Sequence, residues 1–215
     1  MNKTILVTRP DHDLITSYFS QWSEIVINVA SKKSFKVLDL FSVKANKKNL
    51  ISYIQRNNPG LIFFNGHGSS SVMTGYDNEP ILELNKDELL TQNRIVYARS
   101  CDVALLLGES CVKKKAKAFI GYIKKYALVC SHDSLAFPLK DSIARLFLEP
   151  SNLIPISLLK GNTVGEAYRK SQESMSRNFI FMLSTRATSG QRDAAPYLWY
   201  NRKYQKALGD SSATL

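Results

Sequence analysis

Two apolar stretches decide the fold of this chain: L-I-F-F-N-G-H-G-S-S at residues 61–70 and R-I-V-Y-A-R-S-C-D at residues 94–102. Each contains a short uninterrupted apolar run that ends abruptly in small or polar residues. Such runs are typical of strands in a parallel sheet whose two faces are both covered by helices. The pair therefore predicts two neighbouring buried strands of an α/β fold.

Strand-like and helix-like patterns alternate on either side of this pair. Strands are predicted at residues 4–8, 35–41 and 118–122, with 126–130 either extending the last of these or adding another, and a late aromatic strand or strand pair at 196–208. Helical spacing is found at residues 13–22, 46–56, 102–115, 141–148 and 163–177, and residues 150–155 are predicted as a turn-rich connection. This alternation predicts a doubly wound, mostly parallel α/β sheet of about six strands with helices on both faces. Because no linker or repeat divides the chain, residues 1–210 are predicted as one domain and residues 211–215 as a polar C-terminal tail.

The composition is that of a globular protein with a basic surface. The 215 residues are enough to bury a sizeable core, and 29 Lys plus Arg against 18 Asp plus Glu give a formal net charge of +11. That charge attracts acidic partners but does not specify a fold. Its two concentrations, residues 32–48 and 113–125, carry few arginines or interleaved aromatics, so we expect solvated surface and no direct nucleic-acid ligand.

Neither a membrane segment nor a resident cofactor is expected. The N-terminus lacks the long apolar core of a signal peptide, and no stretch approaches the roughly 20 apolar residues that span a bilayer. Three cysteines, Cys101, Cys111 and Cys130, are an odd number without C-x-x-C spacing, which indicates neither a disulfide framework nor a zinc site. Nucleotide-binding glycine motifs are missing. We therefore expect a cytoplasmic protein without metal or organic cofactor.

His67 and Cys101 each follow one of the two apolar runs at a similar distance. In a parallel sheet, functional groups gather beyond the carboxyl ends of strands about 4.8 Å apart, so both side chains are predicted to face one gap. A thiolate is a strong nucleophile, and a nearby imidazole can take its proton. The backbone N–H groups of Gly68 and Cys101 are candidate donors to an oxyanion. Taken singly, a loop histidine and a buried cysteine acting as a small hydrophobe remain the structural alternatives.

The order of the two blocks, an apolar run ending in His-Gly and then one ending in Ser-Cys, resembles the caspase-like (clan CD) cysteine peptidases. Three later segments are similar to the CHAT-domain and gingipain–clostripain branch: A-K-A-F-I-G-Y at 116–122, G-N-T-V-G-E-A-Y at 161–168 and A-L-G-D at 207–210. The resemblance runs from about residue 61 to residue 210. It implies a caspase-like α/β/α sandwich and a thiol endopeptidase with a dyad of His67 and Cys101, whose oxyanion hole is formed by the Gly68 and Cys101 amides.

The resemblance also implies partners and a substrate pocket. CHAT-domain proteins act in bacterial defence, including antiviral defence, or in cell death, so a protein or peptide substrate and a separate regulatory protein are expected. Arg9 and Arg99 stand where caspases line their pocket for an acidic side chain, and a guanidinium there favours an acidic or otherwise non-basic residue. The aspartates that would instead select a basic residue, if they face the cleft, are Asp11, Asp13, Asp77 and Asp102.

Two other interpretations remain open. Cys101 would pair with His132 in an amidotransferase-like or hydrolase-like arrangement, but the glycines of a nucleophile elbow are missing from A-R-S-C-D-V at 98–103. A catalytically inactive caspase-like module would bind a protein partner or a polyanion through its basic faces. The fold by itself does not choose among these functions.

Overall fold

The computed structural model describes residues 3–215 and is built around a six-stranded sheet. The strands in chain order are β1 (Thr4–Arg9), β2 (Lys36–Phe41), β3 (Leu61–Asn65), β4 (Val72–Thr74), β5 (Pro80–Glu83), β6 (Ile95–Arg99), β7 (Ala118–Tyr122) and β8 (Gln205–Gly209). The large sheet has the order β2-β1-β3-β6-β7-β8 and is parallel except for the β7–β8 pair, while β4 and β5 form a separate antiparallel hairpin. Met1 and Asn2, the first residues of the predicted 1–210 domain, lie outside the described residues.

Within residues 3–215, five of the six α-helices cover the two faces of this sheet. The six are α1 (Leu14–Lys32), α2 (Lys47–Asn57), α3 (Leu107–Lys113), α4 (Ser142–Leu159), α5 (Val164–Met182) and α6 (Ser189–Tyr204). The sixth, α6, packs against α4 and α5. Alternate residues of a buried strand contribute to opposite cores: Ile62 packs with α2 and α3, whereas Phe63 packs with α1, α4 and α5. The predicted α/β/α architecture with about six strands, mostly parallel, is confirmed.

The register between β3 and β6 places the two predicted site residues at one edge. The strands pair in parallel from Leu61 opposite Ile95 to Asn65 opposite Arg99. His67 and Cys101 each lie two residues beyond these matched strand ends. Both side chains therefore leave the sheet at its carboxyl edge.

Several elements differ from the predicted bounds because local capping and packing decide where they begin and end. Helix α1 continues ten residues past the predicted end at Trp22, since Val26 and Ala30 extend its buried face. The predicted helix over 102–115 begins only at Leu107, because Asp102 adopts a left-handed conformation with φ of +58°. Residues 126–130 belong to no helix and pair with no strand.

Tertiary packing overrides two further predictions in the C-terminal half. Pro150 and Pro155, predicted to lie in a turn-rich connection, are buried inside the continuous helix α4, although each lacks the N–H that a helix interior uses. Residues 196–204, predicted as strand, belong to α6, and only 205–209 form the late strand.

The last five residues are not a free tail. Ala213 and Leu215 are buried against the core, and the Val164 N–H donates to the Ala213 carbonyl at the start of α5. Among residues 3–215, no helix combines the length and the apolar character that crossing a bilayer requires.

Candidate functional site

A cavity of about 280 Å³ opens at the carboxyl edge of β3 and β6. Its walls bring together the two residues predicted from the apolar runs, together with residues from α1 and from the segment after β7. The lining residues are Ile15, Phe19, Gly66, His67, Ser100, Cys101, Tyr126, Ala127 and Leu128. An imidazole and a thiol therefore share one cavity, as the sequence predicted.

The loop after β3 is held tightly enough to require glycine. A Cβ on Gly68 would lie 2.4 Å from Ser100 Oγ and 2.9 Å from the Val72 carbonyl oxygen, closer than real Cβ contacts. The loop is pinned to the β4 strand by hydrogen bonds from Thr74 N–H to the His67 carbonyl (3.0 Å) and from Ser69 N–H to the Val72 carbonyl (2.8 Å). The backbone that carries His67 therefore has little freedom to move.

Asp13 orients the imidazole of His67. The His67 Nε2 lies 2.6 Å from Asp13 Oδ2, while Asp13 Oδ1 accepts a 2.8 Å hydrogen bond from Thr16 N–H and so caps α1. Burial raises the pKa of Asp13, but the hydrogen bonds from Thr16 and His67 outweigh it and hold that pKa below its ordinary value. An ionised carboxylate only accepts, so Nε2 carries the proton and Nδ1 is left to exchange one.

Sequence reasoning missed this contact. The sequence places Asp13 at the start of a predicted helix and among four aspartates that are candidates for the cleft, but its partner His67 is 54 positions away. The capping pattern of Asp13 with Thr16 predicts the helix start, yet no local pattern specifies which side chain the second carboxylate oxygen meets.

The pKa of the Cys101 thiol is raised in this environment. Burial raises its pKa, the Tyr126 backbone N–H that donates to its sulfur lowers it, and the charge of Asp102 raises it again, with a net rise. No hydrogen bond joins Cys101 to His67 in the part of the chain that the structure describes. The two groups line one cavity without forming a preformed ion pair.

The N–H groups of Gly68 and Cys101, the two predicted oxyanion donors, have no hydrogen-bond acceptor within residues 3–215, and of the two residues Cys101 lines the cavity. The hydrogen bonds of the loop after β3 use the N–H groups of Ser69 and Thr74 and leave out that of Gly68. The Cys101 N–H likewise donates to no group within residues 3–215, whereas the neighbouring Asp102 N–H donates to the Lys124 carbonyl at 3.2 Å. Both predicted donors are thus unoccupied.

Arg99 lies behind the cavity wall and not on its surface. Its side chain is fully buried, with Nε donating to Asn65 Oδ1 and Nη2 to Ser23 Oγ, both at 3.0 Å. The guanidinium packs 5.1 Å from the ring centre of Phe19, a residue that lines the cavity. Nη1 has no partner, and no carboxylate within residues 3–215 pairs with this charge. Burial lowers the pKa of Arg99.

The structure does not bring Arg9 or Asp102 into the cavity wall. The Arg9 guanidinium binds both oxygens of Asp39 at 2.9 and 2.6 Å and lies 3.0 Å from Glu24, so its charge is neutralised away from Cys101. Asp102 acts on the thiol only through its charge. The expected role of Arg9 as a pocket residue is therefore corrected, because its guanidinium pairs with Asp39 on β2 and Glu24 on α1.

A second, larger cavity of about 490 Å³ adjoins the first. It shares Ile15, Ala127 and Leu128 with the first cavity, so the two form one groove along residues 126–130. His132 lines only this second cavity and not the one that holds Cys101. All three cysteines are free.

The segment along this groove is clamped by one side chain. Asn201 of α6 accepts from the Ala127 N–H at 2.9 Å and donates to the Ala127 carbonyl at 2.6 Å. A single amide therefore satisfies both backbone groups of a residue that pairs with no strand.

Comparisons with known proteins identify the fold. No family model and no curated protein matches the chain. The chain is similar to the crystal structure of the Arg-specific cysteine proteinase gingipain R, with a TM-score of 0.61 and 11% identity over 99% of this chain and 47% of that one. It is also similar to the complex of the pro- and mature domains of RgpB from Porphyromonas gingivalis, with a TM-score of 0.54 and 12% identity over 100% of this chain and 48% of that one. The chain thus spans about half the length of each and shares the fold of gingipain R.

Proposed function

We propose that this chain is a cysteine peptidase that hydrolyses peptide bonds through His67 and Cys101. The observation that carries the proposal is a carboxylate-oriented imidazole and a thiol that line one cavity at the sheet edge. The shared fold with a cysteine proteinase supports it, although the low identity limits that likeness to the fold. The presence of both reactive groups favours an enzyme over an inactive binding module.

The chemistry follows from the positions of the protons. As Cys101 Sγ attacks the substrate carbonyl carbon, its proton passes to His67 Nδ1, and Asp13 stabilises the imidazolium through Nε2–H. The tetrahedral oxyanion binds the N–H groups of Gly68 and Cys101. His67 then gives the proton to the departing amine, leaving a thioester on Cys101 that water hydrolyses with His67 as the base.

The groove along residues 126–130 is the proposed binding surface for the polypeptide substrate. This segment pairs with no strand, so a substrate can add to its backbone N–H and C=O groups as a strand. Ala127 is held by Asn201, so the segment is fixed before substrate binds. The adjoining apolar cavity accommodates side chains that flank the cleaved bond.

Arg99 is proposed to set the preference for a non-basic side chain next to the cleaved bond. Its unneutralised charge lies behind Phe19, in the wall of the cavity, where a desolvated cation repels arginine and lysine and attracts a carboxylate. Asp13 is already engaged by His67 and by the cap of α1. This preference would differ from that of gingipain R, which is described as Arg-specific.

Regulation by a separate protein, a role in bacterial defence or cell death, and a cytoplasmic location belong to the same proposal. They rest on the resemblance to CHAT-domain proteins and on the gingipain structure in which a pro-domain accompanies the mature enzyme. A reducing compartment would keep Cys101, Cys111 and Cys130 as thiols.

The test is labelling by a library of peptides that carry a thiol-reactive acyloxymethyl ketone, followed by cleavage assays with the matching peptides. We expect labelling and cleavage that Cys101→Ser and His67→Ala abolish and that Cys130→Ser retains. Retained cleavage in Cys101→Ser would contradict the proposed nucleophile. Cleavage lost in His132→Ala but kept in His67→Ala would favour the alternative pair. No labelling by any member of the library would favour the inactive binding module.

A further inference from the structure

Three side chains beside the proposed dyad, His12, Asp13 and His67, converge on one point. We propose that they form a Zn²⁺ site whose occupation switches the proposed peptidase off. The inhibitory part rests on the proposed function, whereas the metal site itself stands on the geometry alone.

The geometry places two imidazole nitrogens on one carboxylate oxygen. Asp13 Oδ2 lies 2.6 Å from His67 Nε2 and 3.5 Å from His12 Nε2. One ligand atom from each of the three residues lies within 4.8 Å of the others. In a tetrahedral zinc site with bonds of about 2.0–2.2 Å, the ligand atoms lie about 3.3 Å apart. Side-chain rotations that move each ligand atom by about an ångström or less would bring the three atoms into this arrangement.

Within the described residues, His12 makes no hydrogen bond that metal binding would have to break. Its side chain is only 10% exposed, and within residues 3–215 neither ring nitrogen has a hydrogen-bond partner. The His12 ring packs edge-on against Tyr76 and His67, with distances between ring centres of 5.4 Å and 6.0 Å. This packing holds Nε2 toward Asp13. A buried imidazole without partners is costly, and coordination would satisfy it.

The donor set selects for zinc over the common oxygen-loving cations. Two neutral imidazoles and one carboxylate are ordinary zinc ligands, whereas Mg²⁺ and Ca²⁺ require mostly oxygen. Asp13 and His67 are 37% and 39% exposed, so a fourth position is open to water and an ion can enter from solvent. The sequence shows no metal-binding spacing because Asp13 and His67 are 54 positions apart in the chain.

Occupation of this site would remove the proton relay of the proposed mechanism. Zinc on His67 Nε2 takes the place of the proton that Asp13 accepts, and the metal's charge opposes protonation at Nδ1. His67 then neither receives the proton of Cys101 nor delivers one to the leaving amine. Asp13 also exchanges its hydrogen bond to His67 for the metal while keeping its cap on α1.

Binding is tested on the whole chain by calorimetry with Zn²⁺ and by the visible absorption of bound Co²⁺, neither of which depends on catalysis. We expect one ion per chain for the natural sequence, for His132→Gln and for Cys101→Ser. His12→Gln and His12→Phe are expected to bind at least tenfold more weakly, and Phe preserves the packing against Tyr76 should Gln unfold the loop. Calcium and magnesium are expected not to compete.

The outcomes separate the two proposals. Unchanged zinc affinity in both folded His12 variants, or loss of binding in Cys101→Ser, would overturn the site, since the latter would indicate a cysteine–histidine site instead. With an active preparation, zinc should inhibit cleavage in proportion to occupancy, a chelator should restore it, and His12→Phe should resist. Zinc binding that depends on His12 in a chain without any cleavage would leave the site standing and the proposed function refuted.

Discussion

Asp13 and His67 are joined at the start of α1, where Asp13 Oδ2 meets the imidazole Nε2 at 2.6 Å while Oδ1 caps the helix. The hydrogen bond from Thr16 N–H fixes the Asp13 carboxylate, and this carboxylate in turn orients the His67 imidazole. The orientation of a proposed catalytic group is therefore set by a capping box 54 residues away in the chain.

Asp13→Asn is expected to lower kcat/KM by about tenfold to a hundredfold while leaving stability nearly unchanged. Asparagine is an equally good N-cap, but it removes the charge that supports an imidazolium and can place an N–H against Nε2. Steady-state kinetics and thermal unfolding measure the two effects separately. Thr16→Ala is the control: it weakens the cap by about 1 kcal/mol without touching the contact to His67, so its activity should persist.

The reactivity of Cys101 should rise with pH beyond the range of an ordinary thiol. Because burial raises the pKa of Cys101, the thiolate fraction of the free enzyme is small at neutral pH and grows only in alkaline solution. The rate of alkylation by iodoacetamide as a function of pH, in a Cys111→Ser, Cys130→Ser background, measures it. Asp102→Asn removes a charge that raises this pKa and should shift the profile to lower pH; a shift upward would contradict the assignment.

Gly68→Ala is expected to destabilise the fold by about 1–3 kcal/mol and to abolish cleavage. The added methyl would meet Ser100 Oγ at 2.4 Å and Val103 Cγ1 at 2.7 Å, so the loop that presents a proposed oxyanion donor has to move. Chemical denaturation and peptide cleavage check the two parts. Gly190→Ala, whose methyl would meet only the flexible end of Ile143 at 3.0 Å, should be tolerated.

Arg99→Met is expected to shift substrate preference toward basic side chains, raising the ratio of basic to acidic cleavage by about tenfold or more. The change removes a buried charge that no carboxylate neutralises within residues 3–215. Profiling with a mixed peptide library measures the ratio. Arg9→Met should cost stability, since it leaves Asp39 unpaired, but should not alter preference; an equal shift in both variants would refute the role of Arg99.

Asn201→Ala is expected to raise KM more than it lowers kcat. The substitution frees both backbone groups of Ala127, so this wall of the groove is no longer held in place before substrate binds. A lost buried amide also costs about 1–3 kcal/mol of stability. Asn178→Ala, which removes a bond to the Leu146 carbonyl away from the groove, should lower stability without changing KM.

The sequence by itself determined the central strands and the shared edge. Apolar runs such as Leu61–Asn65 and Ile95–Arg99 specify buried parallel strands, and a period of two residues sends alternate side chains into opposite cores. The strand ends then place His67 and Cys101 beside each other without any knowledge of the rest of the chain. Each of these inferences uses only a short stretch of sequence, so none of them requires the tertiary structure.

Tertiary structure alone decided the partners of these groups. The positions of α1 and β2 relative to the sheet decide which of these charged side chains reaches the cavity. Arg9 forms an ion pair with Asp39, Arg99 packs behind Phe19, and Asp13 forms a hydrogen bond with His67. The same holds for Pro150 inside α4, where packing outweighs a local preference. Contacts between residues far apart in the chain depend on helix placement and on competition among charges, and neither is encoded in any short stretch of sequence.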